Sequence, residues 1–255
     1  MTEIVVRPVR FSDQVGEMQR FLELIGLRPW IVSDGGGWID MACGAGRVAL
    51  HDAATSDSGG LPGQTTLSFE ADDVQALAQR LTDLSVAAVT VYDEAYGRVL
   101  TCADPAGDIV AVDEQMDDLH GYQLRAESRP AGWLRVMPVR FADPAGPYAA
   151  FLQALGLQPA GEINPYYVNF LAEAGTHGQV GVHHLLSDTP PVVSGGRGAA
   201  VQLTFESGEP LEQIAGRLDA AGFAAQLHAA DFGTVLSVTD PDGQDVQVHA
   251  PSAPA

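Results

Sequence analysis

Apolar positions along the chain switch between two periods. Residues 4–9, 29–32, 38–42 and 47–51 are rich in Val, Ile and aromatic residues and read as strands, whose alternate side chains share one face. After Asp13, Val15, Met18, Phe21, Leu22 and Ile25 recur at helical spacing, and Gly26 ends that helix. The same order then returns. Residues 65–71 form a strand, and a helix capped by Asp72 or Asp73 buries Val74, Leu77, Ala78 and Leu81. Strands follow at 87–92, 98–103 and 109–113. The first half therefore reads as two βαβββ units, with a Ser-, Gly- and Asp-rich loop at 53–63 expected to be mobile.

The second half repeats this pattern. A strand at 133–139 leads into a helix at 144–155 that buries Tyr148, Phe151, Leu152 and Leu155. Strands at 167–171 and 179–185, a loop at 187–198, a strand at 200–206 and a helix at 210–221 come next. Strands at 224–228, 234–239 and 245–249 complete it. Residues 116–132 are polar with Pro and Gly, and read as a linker between domains at 1–115 and 133–250.

Local sequence supports a duplication. Pro8-Val9-Arg10-Phe11 recurs as Pro138-Val139-Arg140-Phe141, and Leu67-Ser68-Phe69-Glu70 as Leu203-Thr204-Phe205-Glu206. Asp104-Pro105-Ala106-Gly107 has its twin in Asp240-Pro241-Asp242-Gly243. In such turns Asp accepts backbone N–H groups, Pro presets φ and Gly tolerates positive φ, so each closes a β-hairpin. The repeat is far longer than a solenoid unit, so each copy is expected to be a whole domain with its own core.

Composition then narrows the partners. Hydrophobic residues make up 46% and charged residues 18%, as in a soluble globular protein. The formal charge of −20 repels phosphate backbones and anionic membranes, so neither nucleic acid nor membrane is expected as a partner. No apolar stretch reaches membrane-spanning length, and Met1-Thr2-Glu3-Ile4 has no signal-type n-region. Cys43 and Cys102 carry no pairing pattern, which suits reduced thiols in a cytoplasm.

Four tandem βαβββ units, the helix endings Phe21…Gly26-Leu27 and Phe151…Gly156-Leu157, and the strand ends Phe69-Glu70 and Phe205-Glu206 resemble the vicinal oxygen chelate superfamily. That superfamily includes glyoxalase I, extradiol dioxygenases and bleomycin-resistance proteins. The resemblance implies an α+β fold in which paired units curl into a cup that holds a metal or a ligand. Its metal-ligand places, counted back from Asp13, fall on Val6, Thr66 and Ala111, and in the second half on Val136, Gln202 and Gln247. Val and Ala offer no lone pair, and two neutral amides are a weak set for a cation that takes three or four ligands. No metal or other cofactor is expected.

The resemblance also marks cup-lining candidates. Trp38 with Asp40 matches Tyr167 with Asn169, each pair on one strand face. Thr66, Tyr92, Tyr96 and Arg98 are candidates for the first cup, and Tyr166, Gln202, His228, Phe232 and Gln247 for the second. His51 and His183 stand at matching strand ends, and Glu70 or Glu206 is a candidate acid–base partner for them. Strand-end histidines bonded to loops and solvated strand-end glutamates are the plainer alternatives. His120, His177 and His249 read as surface or loop residues. The expected function is metal-independent sequestration of an aromatic or cationic compound, such as an antibiotic, by a monomer or homodimer. The alternative is an isomerase, cyclase or glyoxalase-like lyase on the same fold.

Overall fold

The computed structural model describes residues 2–94, 96–115, 119, 121–184, 201–230 and 232–251. The first half runs β1 (Ile4–Val6), β2 (Val9–Ser12), α1 (Val15–Ile25), β3 (Arg28–Ser33), β4 (Trp38–Ala42) and β5 (Arg47–Asp52). It continues with β6 (Thr65–Thr66), β7 (Ser68–Ala71), α2 (Val74–Asp83), β8 (Ala87–Glu94), β9 (Gly97–Ala103) and β10 (Ile109–Glu114). Within 116–132 a short strand forms, β11 (Tyr122–Leu124), which pairs with β3. The second half runs β12 (Leu134–Val136), β13 (Val139–Phe141), α3 (Pro147–Leu155), β14 (Gln158–Pro159), β15 (Tyr167–Leu171) and β16 (Gln179–His183). It ends with β17 (Val201–Gln202), β18 (Thr204–Ser207), α4 (Leu211–Ala220), β19 (Ala225–Ala230), β20 (Gly233–Thr239) and β21 (Asp245–His249). The loop at 187–198 and His120 lie outside the described residues.

Four sheets result, in the orders β1-β7-β10-β9-β8, β11-β3-β4-β5-β2-β6, β12-β18-β21-β20-β19 and β14-β15-β16-β13-β17. The strands that the sequence presents as continuous at 4–9 and 133–139 are each broken in two. β1 pairs with β7, whereas β2 pairs with β5 and β6 in the other sheet. The chain crosses between sheets at Arg7-Pro8, and again at Met137-Pro138. Proline has no N–H to contribute to a ladder, so the crossing there forfeits no donor. The Pro8 and Pro138 carbonyls still accept from Ala49 and Gly181. Strands 65–71 and 200–206 divide in the same way, and the divided strands join the two sheets of each half into a cup.

On the outer face of the sheets the helices bury their apolar stripes. In α1 these are Met18, Phe21, Leu22 and Ile25, and in α2 Val74, Leu77, Ala78 and Leu81. Asp73 is the cap of α2, accepting from the Ala76 N–H at 2.9 Å. Instead of two separate cores, one apolar cluster runs through both halves. The cause is helix pairing: α1 packs against α4 and α2 against α3, with Phe21 edge-on to Phe223 at 5.1 Å. Among the described residues no helix is long and apolar enough to cross a membrane.

The twin turns close hairpins β9–β10 and β20–β21 and also join the halves. Asp104 Oδ1 accepts from the Ala106 and Asp108 N–H groups, and Asp240 Oδ1 from those of Asp242 and Gln244. The other oxygen of each turns to the opposite half. Arg10 Nη2 donates to Asp240 Oδ2, while Asp104 Oδ2 takes Arg140 at 3.1 Å and the Tyr148 hydroxyl. Both arginines come from the repeated Pro-Val-Arg-Phe segments. Burial outweighs Arg10 and lifts the Asp240 carboxyl to about 6.

Candidate functional site

Strand alternation sorts each sheet into a core face and a cup face. On β4 and β5, Ile39, Met41, Val48 and Leu50 join the core, whereas Trp38, Asp40, Arg47 and His51 line a cavity. That cavity, about 1590 Å³, lies between the two sheets of the first half. Thr66, Glu70, Tyr92, Tyr96 and Arg98 also line it, as do Arg7, Trp30, Asp113 and Tyr122. From the second half Arg140 and Val201 reach its rim.

At the bottom of the cup five charged side chains meet. Arg7 Nη1 lies 3.6 Å from Asp40 and 3.4 Å from Glu70, and Arg7 Nη2 pairs with Asp113. Arg47 Nη1 reaches Glu70 at 2.8 Å and Asp40 at 3.5 Å. The guanidinium carbons lie 5.5 Å from the Trp38 ring and 5.9 Å from the Trp30 ring, within cation–π range. Asp40 is 1% exposed, and among the described residues neither of its oxygens has a hydrogen-bond partner in addition to those two ion pairs. Burial pushes the Glu70 carboxyl above the usual carboxylate range, against the pull of Arg7 and Arg47.

His51 and Glu70 do not form the acid–base pair that the sequence suggests. Glu70 is bound to the two arginines, whereas His51 stands four residues beyond Arg47 at the other end of β5. His51 Nδ1 is 2.8 Å from the Asp52 carbonyl, which can only accept, so Nδ1 is the donor in that contact. Its ring packs between Phe11 at 5.7 Å and the edge of Trp38 at 5.3 Å. Tyr96 is 37% exposed, and desolvation together with Glu94 raises its phenol to about 12. Arg98 faces Asp93 at 3.7 Å and Glu114 at 3.5 Å.

The second half repeats the frame with different chemistry. His183 Nδ1 donates to the His184 carbonyl at 2.6 Å, and its ring meets Phe141 and Tyr167. Tyr167 donates to Asn169 Oδ1 at 2.6 Å, and its ring crosses Gly181, where a Cβ would lie 2.6 Å from the hydroxyl. Glu206 is held by Arg135 at 2.7 Å and Gln179 at 3.4 Å, not by His183. Gln202 and Gln247 both donate to Asp245 Oδ2, at 2.8 and 2.9 Å. Phe232 is 70% exposed and stacks on His249, while Tyr166 and His228 are exposed. His249 is not a surface residue: it lies in β21 beside Glu206, and burial lowers its pKa. His177 sits in a loop and pairs with Glu3 at 3.1 Å.

Counting along the sequence missed Arg7, Arg47 and Asp113. The place assigned to Val6 is a core position, fully buried with Phe69 and Val112. A one-residue slip in a strand moves a side chain to the opposite face, so Arg7 is the cup residue there, and Met137, not Val136, in the second half. Two residues past Ala111 on the same face stands Asp113, which period-two counting could have reached.

No family model matches the chain, and no curated protein matches it. Solved structures do. A catechol 2,3-dioxygenase aligns with TM-score 0.64 and 14% identity, over 100% of this chain and 90% of that one. The Mn(II)-bound glyoxalase from Novosphingobium aromaticivorans gives 0.63 and 15%, over 98% and 82%. Homoprotocatechuate 2,3-dioxygenase from Brevibacterium fuscum, in complex with 3,4-dihydroxyphenylacetate, gives 0.61 and 13%, over 98% and 82%.

The residues present do not fit a metal such as that glyoxalase's Mn(II). Among the described residues no three His, Cys, Asp or Glu side chains are grouped to hold an ion. In the first cup the three carboxylates surround the Arg7 guanidinium, which supplies the positive charge that a bound cation would. In the second, Met137 stands at the matching place and the amides of Gln202 and Gln247 are turned to Asp245. At identities this low the likeness speaks to architecture alone, and in architecture the chain has the vicinal oxygen chelate fold shared by glyoxalases and extradiol dioxygenases.

Proposed function

We propose that the chain is a metal-independent small-molecule binding protein whose site is the cup of the first half. Residues 1–115 and 133–250 act as its two domains, and 116–132 connects them. The observation that carries this reading is the cavity of about 1590 Å³ with aromatic walls over a fixed charged floor. Trp38, Tyr92, Tyr96 and Tyr122 provide flat apolar surface, which suits a planar organic ligand. Eight acidic side chains line the cavity against four arginines, so its field favours a cationic group. The five ion-paired floor residues hold their positions before a ligand arrives, which lowers the ordering cost of binding.

Native mass spectrometry of protein purified from its source should reveal a copurified organic cation, and Trp38→Ala should weaken its retention. Loss of one such aromatic contact costs at least about 1 kcal/mol in affinity. A ligand retained equally by wild type and Trp38→Ala would remove the cup as the site. One observation favours an enzymatic second reading: Glu70 faces the cavity with a raised pKa, as a proton-transfer residue needs. In that case Glu70→Gln would bind the compound and leave it unchanged, whereas wild type would convert it.

A further inference from the structure

A second concavity, about 770 Å³, shares no lining residue with the cup. It lies where the end of α1, the segment leading into β12 and the end of α4 converge. All 13 basic residues of the chain are arginines, against 33 acidic residues. Four of them, Arg20, Arg28, Arg129 and Arg217, line this groove, with Glu23 as the one acidic lining residue. Arg20 is paired with Glu17 and Arg217 with Glu209, so the local positive field in this chain of formal charge −20 rests on Arg28 and Arg129, offset in part by Glu23.

The groove also has a built aromatic platform. Trp133 is 37% exposed and lies across Gly26, where a Cβ would sit 2.9 Å from its ring. Gly26 has φ +129, so the helix end and the Trp contact both demand glycine. Arg217 is fixed 5.9 Å from the Trp133 ring centre by two bonds to Glu209 and one to the Leu24 carbonyl. Phe223 completes the apolar surface.

Arg28 and Arg129 differ from Arg217 in having no acidic partner among the described residues. Arg28 Nη1 donates to the Glu23 and Leu27 carbonyls, and Arg129 Nη1 to those of Ala126 and Ser128. Each keeps Nε and Nη2 uncommitted. Capping of the α1 carboxyl end accounts for one nitrogen of Arg28 and for nothing at Arg129. Planar guanidinium groups with two free N–H sites match a carboxylate or sulfonate, and the Trp133 face matches an aromatic ring.

We propose that this groove is a binding site for a small aromatic anion, an aryl carboxylate or aryl sulfonate. Its anionic group is taken by Arg28 and Arg129, and its ring lies against Trp133. The site is independent of the cup and of the function proposed for it.

Equilibrium dialysis of the full chain with naphthalene-1-sulfonate tests this. Saturable binding is expected, weakened severalfold when NaCl rises from about 0.05 to about 0.5 M. Arg28→Gln/Arg129→Gln should lose about tenfold or more in affinity, and Trp38→Ala should keep it. If the double variant does not fold, Arg129→Gln alone carries the test, since its side chain bonds only to its own loop. No saturable binding, equal affinity in the arginine variants, or loss only in Trp38→Ala would overturn the assignment. Competition by inorganic phosphate as strong as that by benzenesulfonate would overturn its aromatic part.

Discussion

Replacing Arg7 with Met isolates the role of the cup's central cation, because Met137 is the residue at the matching place in the second half. Arg7 is 6% exposed and touches Asp40, Glu70 and Asp113, of which the first two are also buried. Its loss leaves three carboxylates with Arg47 alone. Removing one partner of a buried ion pair typically costs about 3–5 kcal/mol, because the remaining charges stay desolvated. For a chain of this size each kcal/mol lowers Tm by about 2–4 °C, so a fall of about 6–20 °C is expected near neutral pH. The deficit should depend on pH in a defined direction. Burial already holds Glu70 above its ordinary pKa, and losing Arg7 raises it further. A carboxyl with a raised folded-state pKa contributes its stability below the unfolded pKa and loses it as pH rises through the folded one. The variant should therefore lie far below wild type at about pH 7.5 and approach it at about pH 5. Thermal unfolding followed by circular dichroism at both pH values measures this. A Tm equal to wild type, or the same deficit at both pH values, would refute the account of the floor as one coupled network.

The other expectations follow from the same geometry. Without its guanidinium, the Arg7→Met cup offers oxygen donors to a hard cation, so Ca(II) at ten times its Kd should add about 1.4 kcal/mol of stability to that variant. Wild type should show no such Ca(II)-dependent rise in Tm. Asp240 is buried with a carboxyl lifted to about 6, so it favours the folded state at low pH and loses that contribution as pH rises from about 4 to about 6. At ~1.4 kcal/mol per pK unit, Asp240→Asn should remove on the order of 3 kcal/mol of pH dependence across that window, read from urea midpoints. Gly181→Ala should cost about 1–3 kcal/mol by driving a methyl into the Tyr167 hydroxyl, and Tyr167→Phe in the same chain should recover part of it.

The element order was legible because its signals are local. Helical stripes such as Met18, Phe21, Leu22 and Ile25, and turns such as Asp104-Pro105-Ala106-Gly107, specify themselves over a few residues. The splitting of strands 4–9 and 133–139 was hidden because Val5 and Val9 carry the same β preference although their sheets differ. Pro8 and Pro138 were the available signal. Trp38 and Asp40 could be assigned to one face by alternation alone. The floor network could not be read so, because Arg7, Asp40, Arg47, Glu70 and Asp113 come from five places along the chain that only the closed cup brings together. A slip of one residue from Arg7 to Val6 also exchanged the cup for the core. The continuity of that core across both halves was invisible because each helix face looks complete within its own repeat.

The two halves differ in a way that locates their chemistry. Around the cup floor the first half has Arg7, Asp40, Arg47 and Asp113 where the second has Met137, Asn169, Gln179 and His249, with Glu70 and Glu206 the same. Four ionisable groups that demand each other have become neutral or titratable groups: Asn169 accepts from Tyr167 and Gln179 donates to Glu206, while the buried His249 Nε2 has no hydrogen-bond partner among the described residues. The contacts that join the halves are instead alike: Arg10 with Asp240 on one side, Arg140 with Asp104 on the other. A buried charged network contributes little net stability over a well-packed neutral core, because desolvation offsets most of its Coulomb gain. In the second half Met137 and Gly181 both lie against Tyr167 at the matching places, and among the described residues Glu206 is ion-paired with Arg135 alone. Stability therefore gives no reason for the first cup to keep five charges under an open aromatic cavity, whereas the proposed binding role would give one.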